Sequence, residues 1–447
     1  MGIKGWYSKM GMRKFSLAGA SIIIVVLLAL SLGVLVLSSC GIAERFASDA
    51  DISATPTPEP IHESTPEPEP EPVIPDYIYI QGERFNKSLT ELFLGSRGLQ
   101  DEDIISLKYM TNLTTLWLYG NEISDITSLS RLTNLTELLL GYNQISDITA
   151  LSELTDLKTL ELRSNQINDI TGLSGLTNLT VIILSNNQIE DISALSGLIN
   201  LTRLGLRYNQ IYDIAGLSEL TNLTELDLWN NRISDLSALS GLTNLSRLWL
   251  GINRVNNIAA LSELTELVYL TLVINEISDL WGLTNLKNLE SLDLRDNQIR
   301  DISALSGLTN LRELGLATNQ ITDISALSGL TDLTILRLGI NQISDITTLS
   351  YLTNLTDLLM GGNQISNITP LSELIGLTNL WLLHNEVSDI TALSGLTNLR
   401  TLSLSSNEID DITVLSGLMN LTDLDLRNNE ISDWSPVMHV QSVEGRP

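Results

Sequence analysis

The stretch LTNLTELDLWNNRISDLSALSG, Leu220 to Gly241, decides the fold, because close copies of it stand immediately before and after it. In each copy an Asn follows a Leu-x-Leu triplet, and successive Asn residues are 22 residues apart. Fifteen copies keep this spacing without a slip, with the Asn at Asn121, Asn143, Asn165, Asn187, Asn209, Asn231, Asn253, Asn275, Asn297, Asn319, Asn341, Asn363, Asn385, Asn407 and Asn429. The chain is therefore a repeat protein rather than a set of separate globular domains.

The repeat predicts a stack of coils that share one core. Leu-x-Leu alternates apolar and variable residues, which is typical of a short strand with one buried face. No single coil can bury that face alone, so neighbouring coils must stack and pair their strands in a parallel sheet. The Asn lies where the chain leaves the strand, and we expect its amide to satisfy backbone groups of its own and the adjacent coil. These Asn residues are predicted to form a structural ladder.

A second periodic position carries Asp from Asp125 to Asp433, with Asn257 and Asn367 as its two exceptions. Because Asp and Asn are both good helix caps, we expect this residue to be the N-cap of a short helical turn on the outer side of each coil. A ladder of calcium ions between stacked carboxylates is the alternative interpretation. The Asn of each Asn-Leu-Thr triplet, as in Asn112 and Asn134, also has a fixed place in the repeat, so we interpret these glycosylation-like triplets as structural.

Over residues 89–433 this pattern resembles the leucine-rich repeats of bacterial internalins. The resemblance implies an α/β solenoid shaped as a horseshoe of about 15 to 16 coils, with a parallel β-sheet on the concave face and short helical or 3₁₀ turns on the convex face. The first coil is degenerate, because Arg97 stands where the Asn is expected. The domain prediction is a signal peptide over 1–39, a lipidated N-terminus and acidic Pro-rich linker over 40–76, an N-terminal cap with the degenerate repeat over 77–110, leucine-rich repeats over 111–433 and a C-terminal cap over 434–447.

The N-terminus has the order of an export signal: basic residues up to Lys14, an uncharged apolar run, and then Leu37-Ser-Ser-Cys40. This ending resembles the bacterial lipoprotein signal, which implies cleavage before Cys40 and a lipid on its thiol. An uncleaved membrane helix is the alternative, because the apolar run is long enough to cross a bilayer. Either interpretation predicts an extracytoplasmic protein held at a bacterial membrane, with the Pro-Glu-rich stretch of residues 54–75 as an extended spacer.

Composition argues against chemistry and against nucleic acid. The chain has one Cys and three His, and its net charge is −28. We therefore expect no catalytic residues, no metal site and no cofactor, and a protein this acidic lacks the basic face that phosphate binding needs. Paired carboxylates such as Asp227 and Asp293 are expected to lie on an exposed strand lattice without a desolvated pocket.

Function is then expected at the positions that the repeat leaves free on the concave face. The candidate ligand-binding residues there are Trp117, Tyr119, Tyr142, Arg207, Tyr208, Trp229, Trp249, Tyr269 and Trp381. Tyr208, Trp229, Trp249 and Tyr269 come from four consecutive coils and should form a diagonal stripe among arginines, the composition of a binding hot spot. A protein ligand is the first hypothesis. Glycan binding through the Trp and Tyr rings, or a structural spacer without a ligand, are the alternatives.

Overall fold

The computed structural model describes residues 76–446. The predicted signal peptide, the lipidation site Cys40 and all but the last residue of the predicted linker lie outside the described residues. Within residues 76–446 the elements are short, as the three-residue Leu-centred motif predicts, and each coil contributes one strand and one helical turn.

The strands lie once per repeat, and two more precede the array. They are β1 (Tyr77–Ile80), β2 (Glu83–Asn86), β3 (Glu91–Phe93), β4 (Thr115–Trp117), β5 (Glu137–Leu139), β6 (Thr159–Glu161), β7 (Val181–Ile183), β8 (Arg203–Gly205), β9 (Glu225–Asp227), β10 (Arg247–Trp249), β11 (Tyr269–Thr271), β12 (Ser291–Asp293), β13 (Glu313–Gly315), β14 (Ile335–Arg337), β15 (Asp357–Leu359), β16 (Asn379–Trp381), β17 (Thr401–Ser403), β18 (Asp423–Asp425) and β19 (Ser442–Glu444).

The helical turns on the other side of the coils are almost all 3₁₀. One short α-helix, α1 (Asp101–Ile104), leads directly into the first of them. The 3₁₀ turns are Ile105–Tyr109, Thr127–Leu129, Thr149–Leu151, Thr171–Leu173, Ser193–Leu195, Ala215–Leu217, Ser237–Leu239, Ala259–Leu261, Trp281–Leu283, Ser303–Leu305, Ser325–Leu327, Thr347–Tyr351, Thr369–Glu373, Thr391–Gly395, Thr413–Gly417 and Ser435–Val437.

Strands β3 to β19 form one parallel sheet in which equivalent residues of consecutive coils pair. Leu226, for example, faces Leu248 on the next strand, and Leu248 faces Leu270 on the one after. In this register equivalent residues stack on each other, so the leucines and isoleucines at the fixed positions of the repeat lie in continuous rows and are almost fully buried. The core is therefore a layered column of aliphatic side chains.

The two ends of the stack differ. At the N-terminal end β1 and β2 form an antiparallel hairpin whose Ile78 and Ile80 join the core. Residues 434–447 are predicted to be a C-terminal cap. There Ser435–Val437 forms another 3₁₀ turn and β19 pairs in parallel with β18, which adds a seventeenth strand to the sheet.

The Asn ladder connects each coil to the coil before it. Asn275 is typical: its amide donates to the carbonyl oxygens of Leu250 and Leu272, both at 3.0 Å, and its Oδ1 accepts the N–H of Val255 at 2.9 Å. In the degenerate first coil the backbone N–H of Arg97 still donates to Asn121. The Asn of the Asn-Leu-Thr triplets forms a second, exposed ladder, in which Asn222 donates to the Ile199 carbonyl of the preceding coil.

The periodic Asp does cap the outer turn, but from one residue further out than expected. The N-cap of the Thr149–Leu151 turn is Ile148, and Asp147 precedes it. The Asp147 carboxylate accepts the N–H of Thr149 at 2.8 Å, which is an Asx turn. Asn257 and Asn367 make the same bond through their amide oxygens. The prediction that this residue is the N-cap was therefore wrong by one position. Asp and Asn interchange here because both side chains have an oxygen that accepts the N–H of the turn.

Candidate functional site: the open face of the sheet

We call the sheet surface opposite the leucine core the open face. It is the face expected to be concave. In and just after β9 its residues are Glu225, Asp227, Trp229 and Asn230, because Leu226 and Leu228 turn inward. All nine predicted ligand-binding residues occupy equivalent positions on this face and none is fully buried. Their placement follows from the strand alternation, and their role in binding stays a prediction.

The central patch comprises the predicted stripe and its neighbours on β8 to β11: Arg203, Arg207, Tyr208, Glu225, Asp227, Trp229, Arg247, Trp249, Ile252, Tyr269 and Ile274. The rings of Trp249 and Tyr269 are in contact, with centroids 5.4 Å apart. Trp229 lies over Gly251 of the next coil, where a Cβ atom would overlap the indole ring. The guanidinium of Arg207 lies 5.1 Å from the Tyr208 ring centroid. The stripe therefore consists of packed, locally supported rings rather than isolated side chains.

Ion pairs hold the charged residues of the central patch. Glu225 lies between two arginines, 3.2 Å from Arg203 Nε and 3.8 Å from Arg247 Nη1. Arg207 Nε is 3.8 Å from Asp227 on the next strand. These pairs join neighbouring strands, so the arginines are oriented before any ligand arrives.

Asp227 contradicts the expectation that no carboxylate on this face is desolvated. Its side chain is only 22% exposed, and this burial raises its pKa above the usual value for Asp. A hydrogen bond from the backbone N–H of Trp229 and the charges of Arg207 and Arg203 lower this pKa, but they do not cancel the rise caused by burial. The sequence could not show this, because the desolvation comes from neighbouring coils.

Two isoleucines next to the stripe have backbone conformations that β-branched residues rarely adopt. The residue just before each ladder Asn has a positive φ, and in most coils it is Asn, Gly or another residue without β-branching. Ile252 and Ile274 have φ values of 55° and 53°, where a branched Cβ is strained. Ile274 is also 47% exposed. Sequence reasoning missed both, although their repeat position made them detectable.

A second aromatic group lies at the N-terminal end of the open face. We call it the N-terminal patch: Phe93, Trp117, Tyr119, Leu139 and Tyr142 on and beside β3 to β5. Phe93 and Trp117 pack edge to face with centroids 4.6 Å apart. The Tyr119 ring lies against Gly95 beside them. Phe93 was missed because its coil lacks the ladder Asn, although LFL at Leu92 to Leu94 carries the strand motif.

Trp381 lies apart from both patches. It is on β16, beside Leu359 of β15 and Ser403 of β17. Other open-face ion pairs form within single coils, as in Arg163 with Glu161 at 2.6 Å and Arg295 with Asp293 at 2.6 Å.

Two features of residues 76–446 bear on membranes and metals. No helix in this range is long and apolar enough to cross a membrane. No group of three or more His, Cys, Asp or Glu side chains in the range is arranged to hold a metal ion.

Comparison with known proteins now adds to the geometry. A family model described as leucine-rich repeats in two copies matches residues 133–175, 177–220, 221–266, 309–351 and 397–437, and a leucine-rich repeat model matches residues 279–321. No curated protein matches the chain significantly.

Solved structures show the same architecture. The internalin InlF of Listeria monocytogenes is 33% identical, with 78% of this chain and 91% of that chain covered and a TM-score of 0.60. A leucine-rich repeat protein of Leptospira interrogans is 26% identical over 80% of this chain and 96% of that one, with a TM-score of 0.74. The functional domain of InlJ from Listeria monocytogenes is 24% identical over 77% and 75%, with a TM-score of 0.68, and shares the fold.

These matches agree with the parallel sheet and the short outer 3₁₀ turns. The predicted α/β solenoid is confirmed. Leucine-rich repeat domains typically act as modules for protein interaction. The chain belongs to the leucine-rich repeat family, with structural similarity to internalins.

Proposed function

We propose that this protein is a membrane-anchored, extracytoplasmic recognition module that binds a protein ligand through the concave face, with the central patch as the main contact. One observation carries the proposal. Three aromatic rings on consecutive coils lie beside Ile252 and Ile274, two apolar residues kept in a strained conformation at the surface. Strain of this kind persists where the surrounding structure maintains it. Thr318 and Ile340 have the same conformation further along the array, so what distinguishes the central patch is the combination of such residues with packed rings and arginines.

The surrounding arginines support the same proposal. Trp, Tyr and Arg are the residues that dominate binding energy at protein interfaces. Arg203, Arg207 and Arg247 are already positioned by Glu225 and Asp227, so a ligand would lose less entropy in ordering them. Sheet and rings together offer a rigid surface rather than a closed pocket, which fits a macromolecular ligand better than a small substrate.

The experiment is capture of partners from bacterial envelope material and host cell extracts by the full chain. The test variant is Trp229→Ala with Trp249→Ala. The matched control is Trp281→Ala, because Trp281 is 74% exposed but lies on a 3₁₀ turn on the other side of the coil. A partner retained by the wild type and the control but lost by the test variant supports the proposal. A partner retained equally by all three contradicts it.

A glycan ligand is the second candidate, because the contacting rings of Trp249 and Tyr269 are both partly exposed and could stack on sugar rings. The two candidates respond differently to Arg207→Ala. Protein binding should weaken with this variant, whereas stacking on sugars should depend on the Trp and Tyr rings and keep its strength. Absence of any partner for the folded wild type would favour the structural spacer.

The anchor rests on Cys40, which we propose is lipidated so that the Pro-rich spacer holds the repeats away from the membrane. Metabolic labelling with a fatty acid in a bacterial host tests this. We expect label on the wild type and none on Cys40→Ser. A labelled Cys40→Ser chain, or an unlabelled wild type that stays in the membrane, would point to the uncleaved helix instead.

A further inference from the structure

The N-terminal patch differs from the central patch in its charges. At open-face positions of β3 to β6 the ionisable side chains other than tyrosines are Glu91, Glu137, Glu161 and Arg163. Arg163 is bound to Glu161 at 2.6 Å and interacts with the Tyr142 hydroxyl. Within residues 76–446, Glu91 and Glu137 make no ion pair. In the central patch, by contrast, both Glu225 and Asp227 are paired with arginines.

The carboxylate of Glu137 is fixed beside the rings. Its Oε1 accepts the indole N–H of Trp117 at 2.7 Å, which leaves its other oxygen available. On the other side of Trp117 lie Phe93, 49% exposed, and Tyr119, 40% exposed. Exposed aromatic rings next to an oriented carboxylate attract organic cations, because the ring faces have a negative electrostatic potential and the carboxylate has a negative charge.

We propose that the N-terminal patch binds a lysine or arginine side chain of the protein ligand, with Phe93, Trp117 and Tyr119 around its alkyl chain and Glu137 facing its charge. This deepens the proposed function and rests on it. The charge of the patch selects the partner: a neutral apolar side chain would leave Glu137 beside a dry surface without a counter-charge, which is unfavourable. The acidic chain as a whole adds long-range attraction for a basic segment.

The rings also have a structural explanation, since Phe93 and Trp117 could simply cover the first coils. Two probes separate the explanations. One is the peptide acetyl-Gly-Gly-Lys-Gly-Gly-amide, and the other replaces Lys with norleucine, which has a similar alkyl chain but no charge. If the rings only cover the first coils, the protein should not prefer the Lys peptide over the norleucine peptide.

The measurement is ¹⁹F NMR of the full chain labelled with 5-fluorotryptophan. The Trp117 signal is the one that disappears from the spectrum of the Trp117→Phe variant. We expect the Lys peptide to shift this signal with at least about fivefold higher affinity than the norleucine peptide. Glu137→Gln should abolish that preference, whereas the matched control Glu263→Gln, exposed on the outer side of the coil, should keep it. Added salt should weaken the binding of the Lys peptide only.

Equal affinity of the two peptides, or no shift of the Trp117 signal with either, overturns the inference. These results are distinguishable from failure of the proposed function. If wild type captures a partner through Trp229 and Trp249 while the peptides bind equally, only the cation site is wrong. If the Lys peptide is preferred but no macromolecule is captured, the recognition function fails and the cation site stands.

Discussion

Asp227 and Asp425 occupy the same position on β9 and β18, yet their pKa values are displaced in opposite directions. Burial raises the pKa of both. At Asp425, hydrogen bonds outweigh burial, because Arg427, two residues further along the same coil, donates from Nε and Nη2, each at 2.8 Å. At Asp227 the nearest guanidinium atom is 3.8 Å away, so burial prevails.

Asp227→Asn should therefore stabilise the protein at pH 7. A raised pKa means that Asp227 holds its proton more tightly in the folded state than in the unfolded state. Stability is therefore lost as pH rises from the pKa of Asp227 in the unfolded state through its pKa in the folded state. Asn removes this loss and keeps an oxygen for the Trp229 N–H. Thermal unfolding at pH 7 and pH 4 checks it: the gain in Tm should be larger at pH 7.

Asp425→Asn is the matched variant and should have the opposite effect. The ionised carboxylate of Asp425 contributes stability above the pKa that it has in the unfolded state. This stability is lost as pH falls through its lower pKa in the folded state. The variant should lower Tm at pH 7, with a smaller deficit in more acidic buffer. Equal effects of the two substitutions at pH 7 would refute this assignment of their environments.

Asn275→Ala should lower the free energy of unfolding by about 1 to 3 kcal/mol, because it leaves buried backbone groups of two coils unpaired. Asn288→Ala is the control, since Asn288 is exposed and makes one bond, to the Thr265 carbonyl. Its cost should be below about 1 kcal/mol, because water can replace that partner. Urea unfolding followed by circular dichroism compares them, and similar losses would contradict the ladder's role.

Ile274→Asn should raise stability by about 1 kcal/mol, because Asn tolerates the left-handed conformation that strains a β-branched residue. The reverse substitution, Asn230→Ile, places the strain in the patch coil two before that of Ile274 and should lower Tm. If the proposed function holds, Ile274→Asn should also weaken partner capture while it stabilises the fold. A less stable Ile274→Asn protein would show that packing, not backbone strain, dominates at this position.

Gly251→Val should displace the Trp229 indole, since any Cβ at this position overlaps the ring. We expect the tryptophan emission of the protein to shift to longer wavelength as this indole meets more water. Gly241→Val is the control, because its nearest neighbour is the Ser218 carbonyl oxygen at an ordinary 3.8 Å. An unchanged spectrum for Gly251→Val would mean that Trp229 has another stable place to pack.

The parts of this protein that the sequence predicts are those set by the repeated residues. Leu-x-Leu and the ladder Asn determine strand, register and core, because every coil has the same requirement for burial and hydrogen bonding. The surroundings of Asp227 were not predictable, because they depend on which variable side chains meet across coils. Phe93 and β19 were missed for a related reason: their coils lack the marker residues, but their backbones still pair with a regular neighbour.

The ladder bonds also bear on how such a chain can change over evolutionary time. Asn275 reaches only to residues at fixed offsets in its own coil and the one before it, and the same offsets recur along the array. Deleting or duplicating any whole 22-residue unit within the regular coils would recreate the same bonds at the joint. Unequal recombination could thus lengthen or shorten the recognition surface, and change the spacing between its two aromatic patches, without breaking the fold.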